Sequence, residues 1–330
     1  MTKLGIIGAM QEEIETLLHL MEKKTEKKIA GSVFHDGVLE GLPVTVVQCG
    51  IGKVNAALCT QILCDLFDVT CLVNTGIAGS LCNDLDIGDM VVSRDAMYHD
   101  MDATAFGYPM GKVPQMDVTS FPADDALMAY AFAAAEGVNP GHTKIGRVAS
   151  GDQFVASREV KERIISVTSA LCTEMEGAAI AQTAYRNRIP YVILRAISDK
   201  ADNSAEMDYP TFESIAAHRC AAVTQCLAKH LAEQEEASGE MNILKAGLLE
   251  KPESAIAQAR LAAKLMFDET KDASILAAGL LKDYEENAYM QIKKSEEKVD
   301  LYEDQICNYL LEISKRKLTT AESERVSVLL

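Results

Sequence analysis

The feature that most constrains the fold of this chain is a series of short apolar runs within its first 232 residues. Runs of about four to seven residues alternate with stretches of helical character. Strands that are apolar on both faces are typical of a parallel or mixed sheet with helices on both sides. The pattern therefore predicts a three-layer α/β/α domain with a mixed central sheet. The runs lie at 4–9, 45–48, 71–74, 90–93, 145–149 and 191–197.

Charge and cysteine content exclude several classes of protein. The net charge of −17 disfavours a nucleic-acid partner, because such proteins present basic faces to phosphates. No run approaches the ~18 apolar residues of a membrane span, and the first residues do not read as a secretory signal. The nine cysteines include no C-x-x-C pair, which is typical of reduced thiols. We therefore expect a cytoplasmic protein without a membrane span.

The segments that follow the predicted strands are rich in acids and glycines. Ligands of such sheets bind beyond the carboxyl ends of strands, so these side chains should converge. Converging carboxylates suit glycosidic bond cleavage, whose transition state needs an acid, a base and negative charge near the sugar. Recognisable metal-binding motifs are absent from the sequence, so we expect no metal ligands. The segments are 10–13, 50–53, 76–79, 150–154, 174–177 and 195–199.

Seven short motifs, taken in order, resemble those of the 5′-methylthioadenosine/S-adenosylhomocysteine nucleosidases. These enzymes are hydrolytic members of the nucleoside phosphorylase superfamily. The resemblance covers about residues 2–232 and implies the nucleoside-phosphorylase-like fold, a nucleoside substrate, and no metal or organic cofactor. Seven motifs in one order are specific, whereas any one of them alone would be weak. They lie at 5–13, 50–53, 74–76, 104–108, 150–152, 174–176 and 195–199.

The resemblance assigns catalytic roles to three acids. It implies that Glu13 activates the attacking water, and that Asp199, with Ser198 as an orienting partner, protonates adenine N7. Asp199 must then keep its proton near neutral pH, which requires burial. Glu176 would bind the ribose 2′- and 3′-hydroxyls. Each has a plainer interpretation: a solvated first-turn acid for Glu13, a cap for Asp199 and a surface helix acid for Glu176.

Further residues are expected to bind the substrate by the same resemblance. Arg195 would orient a carboxylate or the water, or else form a buried ion pair, and Glu174 is the candidate for an outer structural acid. Phe154 and Val155 would form the adenine slot, and Ile77, Ala78 and Gly79 in the loop after the third strand are also expected to bind the substrate. Met10, Ile51, Met175 and Tyr209 would line an apolar 5′-alkylthio pocket.

Two positions depart from the family pattern, and one segment implies a partner. Ile77 stands where relatives often have serine or valine, and Tyr209 stands where phenylalanine is common. In relatives the segment matching 105–108 closes the pocket of the partner subunit. The resemblance therefore implies an isologous homodimer in which Phe106 reaches the other site.

Two other functions remain open from the sequence. A purine nucleoside phosphorylase would use phosphate and would need arginines on its glycine-rich loops, where this chain has two acids and Lys53. A non-catalytic nucleoside-binding regulatory protein would not need all three acids. Both alternatives are weaker than hydrolysis.

The remaining chain is expected to be a linker at 233–244 and a helical segment at 245–330. Pro252 suits the first turn of a helix that runs to about residue 281, and Thr319 with Glu322 forms a capping-box start of another. Apolar residues that recur every seven positions indicate a long helix between them. This stripe consists of Ile292, Val299, Ile306 and Ile313.

This C-terminal segment resembles the beginning of a PhoU-like helical-bundle domain. The metal-binding acids of that family would fall partly on Glu296 and Asp300. The chain stops before the second half of that domain, so the segment would be an incomplete one. A helical appendage that packs or oligomerises is the plainer interpretation.

Overall fold

The structure is a computed structural model. It describes residues 2–202, 205–240, 244, 246–281 and 284–330, without the side chains of 206–208, 210, 235–240 and 246. The chain packs as two compact units, Met1–Glu233 and Gln234–Leu330.

The first unit alternates strands and helices, as the apolar runs predict. Its strands are β1 (Leu4–Gly8), β2 (Glu22–Ile29), β3 (Ser32–Leu39), β4 (Leu42–Gln48), β5 (Cys71–Ser80), β6 (Met90–Tyr98), β7 (Phe121–Pro122), β8 (Thr143–Ser150), β9 (Cys172–Glu174) and β10 (Tyr191–Asp199). Its helices are α1 (Gln11–Leu20), α2 (Lys53–Leu66), α3 (Asp125–Val138), α4 (Arg158–Thr168) and α5 (Gly177–Asn187), and α6 (Ala205–Glu240) begins in this unit.

The strands form one mixed sheet that closes on itself at one end. β5 pairs with β10, β10 with β6, β6 with β8, β8 with β9, and β9 pairs back with the end of β5. The rest of the sheet extends from the other half of β5 through β1, β4, β3 and β2. β5 is therefore the central strand of the fold.

Helices cover both faces of the sheet, which explains why its strands are apolar on consecutive residues. Ile6 and Val46 belong to a buried cluster with α1, α3 and α6. Their neighbours Ile7 and Val47 point to the opposite face and pack with α2 and α5. The predicted α/β fold with a mixed central sheet is confirmed.

One hairpin was not predicted from the sequence. β2 has the sequence EKKTEKKI and is exposed almost throughout, so it lacks the apolar signal of a strand. It pairs with β3, which in turn pairs with β4. The hairpin adds two strands to the sheet beyond β4.

The second unit is helical. It contains a 3₁₀ turn at Ala246–Leu248 and helices α7 (Pro252–Leu280), α8 (Glu286–Ser314) and α9 (Thr320–Leu329). Ile306 and Ile313 of the predicted stripe are buried with Tyr302 and Leu310. The Thr319 hydroxyl accepts from Glu322 N at 3.3 Å, and the Glu322 carboxylate accepts from Thr319 N at 2.7 Å, so the predicted capping box is confirmed.

The predicted linker is partly helical. α6 continues to Glu240, so residues 233–240 are helix rather than connecting loop, whereas 241–243 lie outside the described residues. The domain bounds themselves stay a prediction. Among the helices that the structure describes, none is long and apolar enough to cross a membrane.

Candidate active site

Glu13 is a buried carboxylate at the start of α1, directly after β1. It is 4% exposed. Its Oε2 accepts from the backbone N–H groups of Ala9 (2.6 Å) and Met10 (3.0 Å), and its Oε1 accepts from Ile77 N (3.1 Å). Burial raises the pKa of Glu13, and the nearby charge of Arg195 and the three backbone donors offset only part of that effect. Glu13 is therefore not a solvated first-turn acid.

Glycines of β1 and β5 make room for this carboxylate. A Cβ atom at Gly76 would overlap Glu13 Oε1 and would lie 2.9 Å from Arg195 Nη1. A Cβ atom at Gly8 would lie 3.1 Å from Glu13 Cβ. The small residues beside Glu13 are thus a packing requirement of the site.

Arg195 is the buried cation of the site. It is 1% exposed, and its Nη2 donates to Glu174 Oε2 and to Asn74 Oδ1, both at 2.5 Å. Burial disfavours its charge, but the carboxylates of Glu174, Glu13 and Glu176 outweigh this and raise the pKa of Arg195. The structure contains the buried ion pair, one of the two roles that the sequence left open, with Glu174 as its partner.

Glu174 also fixes the start of α5. Its Oε2 accepts from the backbone N–H groups of Glu176 (3.1 Å) and Gly177 (2.7 Å), and its Oε1 accepts from the Ser150 hydroxyl. Glu174 is 8% exposed and is thus a buried acid within the network. It holds the backbone of the next acid in place.

Glu176 follows β9 and is 6% exposed. Its Oε1 accepts from Gly52 N at 2.8 Å, across 124 residues of sequence. Burial, and next the negative charge of Glu174, raise the pKa of Glu176 to about 8. It is not the surface helix acid of the plainer interpretation, and its backbone is set so that the carboxylate meets the 50–53 turn.

Asp199 is the last residue of β10 and is 3% exposed. Its Oδ2 accepts from the Ser198 hydroxyl at 2.9 Å, and its Oδ1 accepts from Ala201 N at 2.7 Å. It pairs in register with Gly79, where a Cβ atom would lie 2.8 Å from Asp199 Oδ1. Ser198 also lies 3.4 Å from the Ala78 carbonyl oxygen. Glu13 and Asp199 thus both lie against the 76–79 stretch of β5.

Three of the predicted pocket residues meet at the start of α6. The Tyr209 hydroxyl lies 3.2 Å from Met10 Sδ, and its ring meets the Phe154 ring edge-on with centroids 5.5 Å apart. Met10 immediately precedes α1, and Phe154 follows β8. The three side chains therefore bring together the start of α1, where Glu13 lies, and the segment of the predicted adenine slot after β8.

Other predicted residues have different surroundings. The Val155 side chain is packed in a small apolar cluster with Leu81, Ala149 and Ala201, so only its backbone can face a ligand. Ile77 and Ala78 are buried in β5, and Met175 is half-buried. Ile51 and Phe106 are 54% and 84% exposed.

A charged cluster that the sequence did not indicate connects three loops at the rim of the site. Lys53 Nζ donates to Asp100 Oδ2 at 2.6 Å and lies 3.5 Å from Asp152 Oδ2. Asp152 Oδ1 accepts from Lys53 N at 2.9 Å. Lys53 directly follows Gly52, whose N–H donates to Glu176, so the cluster holds the turn that contacts this acid. Within the described residues, no group of three or more His, Cys, Asp or Glu could hold a metal ion.

Comparison with known proteins decides the family. The Phosphorylase superfamily model matches residues 3–229. A 5′-methylthioadenosine/S-adenosylhomocysteine nucleosidase of Halalkalibacterium halodurans is 43% identical over 213 residues, which are 64% of this chain and 91% of that protein. One of Staphylococcus aureus is 39% identical over 229 residues, 69% of this chain and all of that protein. This chain belongs to that nucleosidase family.

Solved structures of the superfamily agree in fold. A nucleosidase of this name from Neisseria meningitidis, in complex with methylthio-immucillin-A, has a TM-score of 0.68 and 37% identity, covering 70% of this chain and 100% of that one. A futalosine hydrolase of Helicobacter pylori has a TM-score of 0.67 and 36% identity, covering 69% and 98%. The family match ends at residue 229, so the PhoU-like resemblance of residues 245–330 stays a prediction.

The close approach at Gly76 can be tested by substitution. Gly76→Ala should lower the free energy of unfolding by about 1–3 kcal/mol, because Glu13 must leave the Ile77 N–H and a buried donor loses its partner. Urea unfolding measures the change. Gly137→Ala in α3 is the matched control, since nothing lies within 4 Å of a Cβ there, and it should not destabilise the protein. Equal stability of the two variants would contradict the packing requirement.

The raised pKa of Glu176 predicts a pH-dependent stability. A carboxyl whose folded-state pKa is raised contributes stability that is present below its unfolded pKa and is lost as the pH rises through the folded value. The Tm of the native protein should therefore fall relative to that of Glu176→Gln between about pH 5 and about pH 9, by at least ~5 °C. Thermal unfolding across this range measures it, with Glu15→Gln, an exposed acid of α1, as the control. Parallel Tm curves for Glu176→Gln and the native protein would contradict the prediction.

Proposed function

We propose that this chain is an N-glycosyl hydrolase that releases adenine from 5′-methylthioadenosine and S-adenosylhomocysteine. Family membership supports this, and so does one observation in particular. Two buried carboxylates, Glu13 and Asp199, lie against the same stretch of β5. The buried guanidinium of Arg195 acts electrostatically on Glu13 and also on a third buried carboxylate, that of Glu176. Such acids are the groups that glycosidic hydrolysis requires.

Glu13 is the proposed base. A carboxylate has about four acceptor positions, and backbone N–H groups occupy three of those on Glu13. The remaining position can take a proton from the attacking water. The raised pKa makes Glu13 a stronger base than an ordinary carboxylate, while Arg195 helps to keep it charged.

Glu176 is the proposed ribose ligand. Its carboxylate can accept hydrogen bonds from the two ribose hydroxyls, and its negative charge stabilises the positive charge that develops on the sugar. Burial and the charge of Glu174 make the negative charge of Glu176 costly. A positive charge that develops on the sugar offsets this cost, whereas a neutral sugar does not, so the transition state is bound more strongly than the substrate, which raises the rate.

Asp199 is the proposed acid. Protonation of adenine N7 turns a poor leaving group into a neutral one. The hydrogen bonds that Asp199 accepts from Ser198 and from Ala201 N fix its carboxyl group at the end of β10. This geometry supports Asp199 as a proton donor that is held in a single orientation toward the adenine.

Hydrolysis fits the surrounding charges better than phosphorolysis does. A phosphate nucleophile needs cations in its place, yet Arg195 is bound to Glu174 and Asn74, and Lys53 to Asp100. The carboxylate of Glu13 lies beside the position proposed for the nucleophile. Its negative charge would repel a phosphate ion there.

Two substitutions test these roles. Glu13→Gln and Asp199→Asn should each lower kcat by about 10²–10⁴-fold, because a proton transfer in the transition state is lost. Adenine release from 5′-methylthioadenosine in phosphate-free buffer measures the rate, and Glu15→Gln should retain the native rate. Full activity of both variants would reject the roles. A strict need for phosphate would indicate a phosphorylase, and binding without release would indicate a regulatory protein.

Futalosine hydrolysis is a second candidate, because the Helicobacter pylori futalosine hydrolase is as similar in structure as the nucleosidases are. Adenine release from futalosine, measured beside that from 5′-methylthioadenosine, separates the two. The nucleoside that is cleaved with the larger kcat/KM is the preferred substrate.

A homodimer is part of the proposal. Exposed apolar side chains lie together at the start of α2, and Phe106 is 84% exposed on its 3₁₀ turn. Burying such a patch against a second copy is favourable.

Sedimentation equilibrium should give twice the chain mass for the native protein and the single mass for Val54→Asp. A monomeric native protein would reject the dimer. The apolar residues are Ile51, Val54 and Leu58.

A further inference from the structure

A tyrosine and a glutamate stand together near the start of α6, at one end of the candidate site. Tyr209 and Glu213 are about one helical turn apart, and the Tyr209 hydroxyl donates to Glu213 Oε1 at 3.0 Å. The same hydroxyl oxygen is 3.2 Å from Met10 Sδ. A thioether is a weak acceptor, so the single hydroxyl proton goes to the carboxylate. Met10 is then an apolar contact of the ring end.

The position of this pair relative to the substrate rests on the proposed function, together with the family resemblance, which implies that Met10 and Tyr209 line the pocket of the 5′ substituent. Two contacts of the structure are consistent with it. Met10 N donates to Glu13, the proposed base, and the Tyr209 ring packs edge-on against Phe154 of the proposed adenine slot. Glu213 accepts from the Tyr209 hydroxyl and is partly exposed. A longer 5′ substituent that runs along Met10 and this hydroxyl therefore ends beside the Glu213 carboxylate.

The charge at this end of the site is negative. Glu12 is exposed on the first turn of α1, two residues after Met10, and Glu213 accepts the hydrogen bond of the Tyr209 hydroxyl. Burial is the largest cause that raises the pKa of Tyr209. The negative charges of Glu213, Glu13 and Glu12 raise it further. Tyr209 therefore stays neutral and keeps its hydrogen bond to Glu213, which holds that carboxylate in one place.

We propose that Glu213, held by Tyr209, is a specificity-determining residue that selects by the charge at the end of the 5′ substituent. It disfavours substituents that end in a carboxylate and accepts those that are uncharged or end in an ammonium group. Like charges at about 4 Å repel by an amount that corresponds to roughly fivefold in water and several hundredfold at the dielectric of a protein surface. A zwitterionic end is accepted when its ammonium group faces Glu213.

A purely structural role of the pair makes a different prediction. Tyr209 and Glu213 could simply stabilise α6 as an i, i+4 pair. Their removal would then change the rate of every substrate by the same factor. Only a role in selection makes the effect depend on the charge of the substrate.

The experiment compares three synthetic substrates that differ only at the end of the 5′ chain. They are 5′-deoxyadenosines that carry a propylthio, a 2-aminoethylthio or a 2-carboxyethylthio group. Adenine release gives kcat/KM for each with the full-length native chain and with Glu213→Gln, Tyr209→Phe and the control Glu159→Gln, an exposed acid of α4. Ratios within one enzyme cancel any difference in the folded fraction.

The native chain should cleave the carboxyethylthio substrate at least tenfold less efficiently than the propylthio substrate. Glu213→Gln should reduce that ratio about tenfold and should remove any preference for the aminoethylthio substrate. Tyr209→Phe should act in the same direction but less, because Glu213 then loses its fixed position. High salt screens the repulsion and should bring the ratio of the two kcat/KM values of the native chain closer to one. Glu159→Gln should leave that ratio unchanged.

Two results would overturn the proposal. One is a native ratio near one, and the other is a ratio that Glu213→Gln leaves unchanged. Either can occur while the propylthio substrate and 5′-methylthioadenosine are cleaved well, so the proposed function would stand. If the native chain releases adenine from neither of those two, the proposed function itself fails.

Discussion

One buried guanidinium determines the charge balance of the whole site. Arg195 lies within β10 at 1% exposure, and an unpaired charge there would cost several kcal/mol. It is tolerated because Glu174 binds it directly and because Glu13 and Glu176 act on it through space. The dependence is mutual, since burial already raises the pKa of both of those acids. Without the cation, three carboxylates could not share this small volume in their charged forms.

The sequence predicts those parts of the fold that have a local pattern. Strands apolar on both faces indicate a sheet covered on both sides, and the two core clusters confirm it. The seven-residue stripe and the capping box predict α8 and α9 for the same reason, because each signal lies within a few turns of helix. The burial of Glu13, Glu176 and Asp199 could not be read from these patterns, because the residues around each acid are compatible with a surface position as well.

What the sequence does not contain is the identity of distant partners. Lys53, Asp100 and Asp152 form one cluster although up to 99 residues separate them, and no spacing rule connects them. The same holds for Arg195. Its sequence context is compatible with two roles, and its ion pair with Glu174, 21 residues away, is visible only in the structure. Gly76 is similar. The sequence predicts a turn at 76–79 after a strand at 71–74, but β5 continues through Gly76 to Ser80. The use of Gly76 as space for a carboxylate depends on the packing of α1 against β5.

The hairpin strand β2 has a consequence for how this protein behaves in solution. It is the last strand of the extended side of the sheet, and its outer edge presents backbone groups that another strand could bind. Four lysines and two glutamates occupy most of its eight residues, nearly all exposed. Desolvating such a row of charges is costly, so the charges discourage one molecule from adding its strand to the next. The charged residues that deprive β2 of an apolar strand pattern thus protect the folded chain against association into fibres.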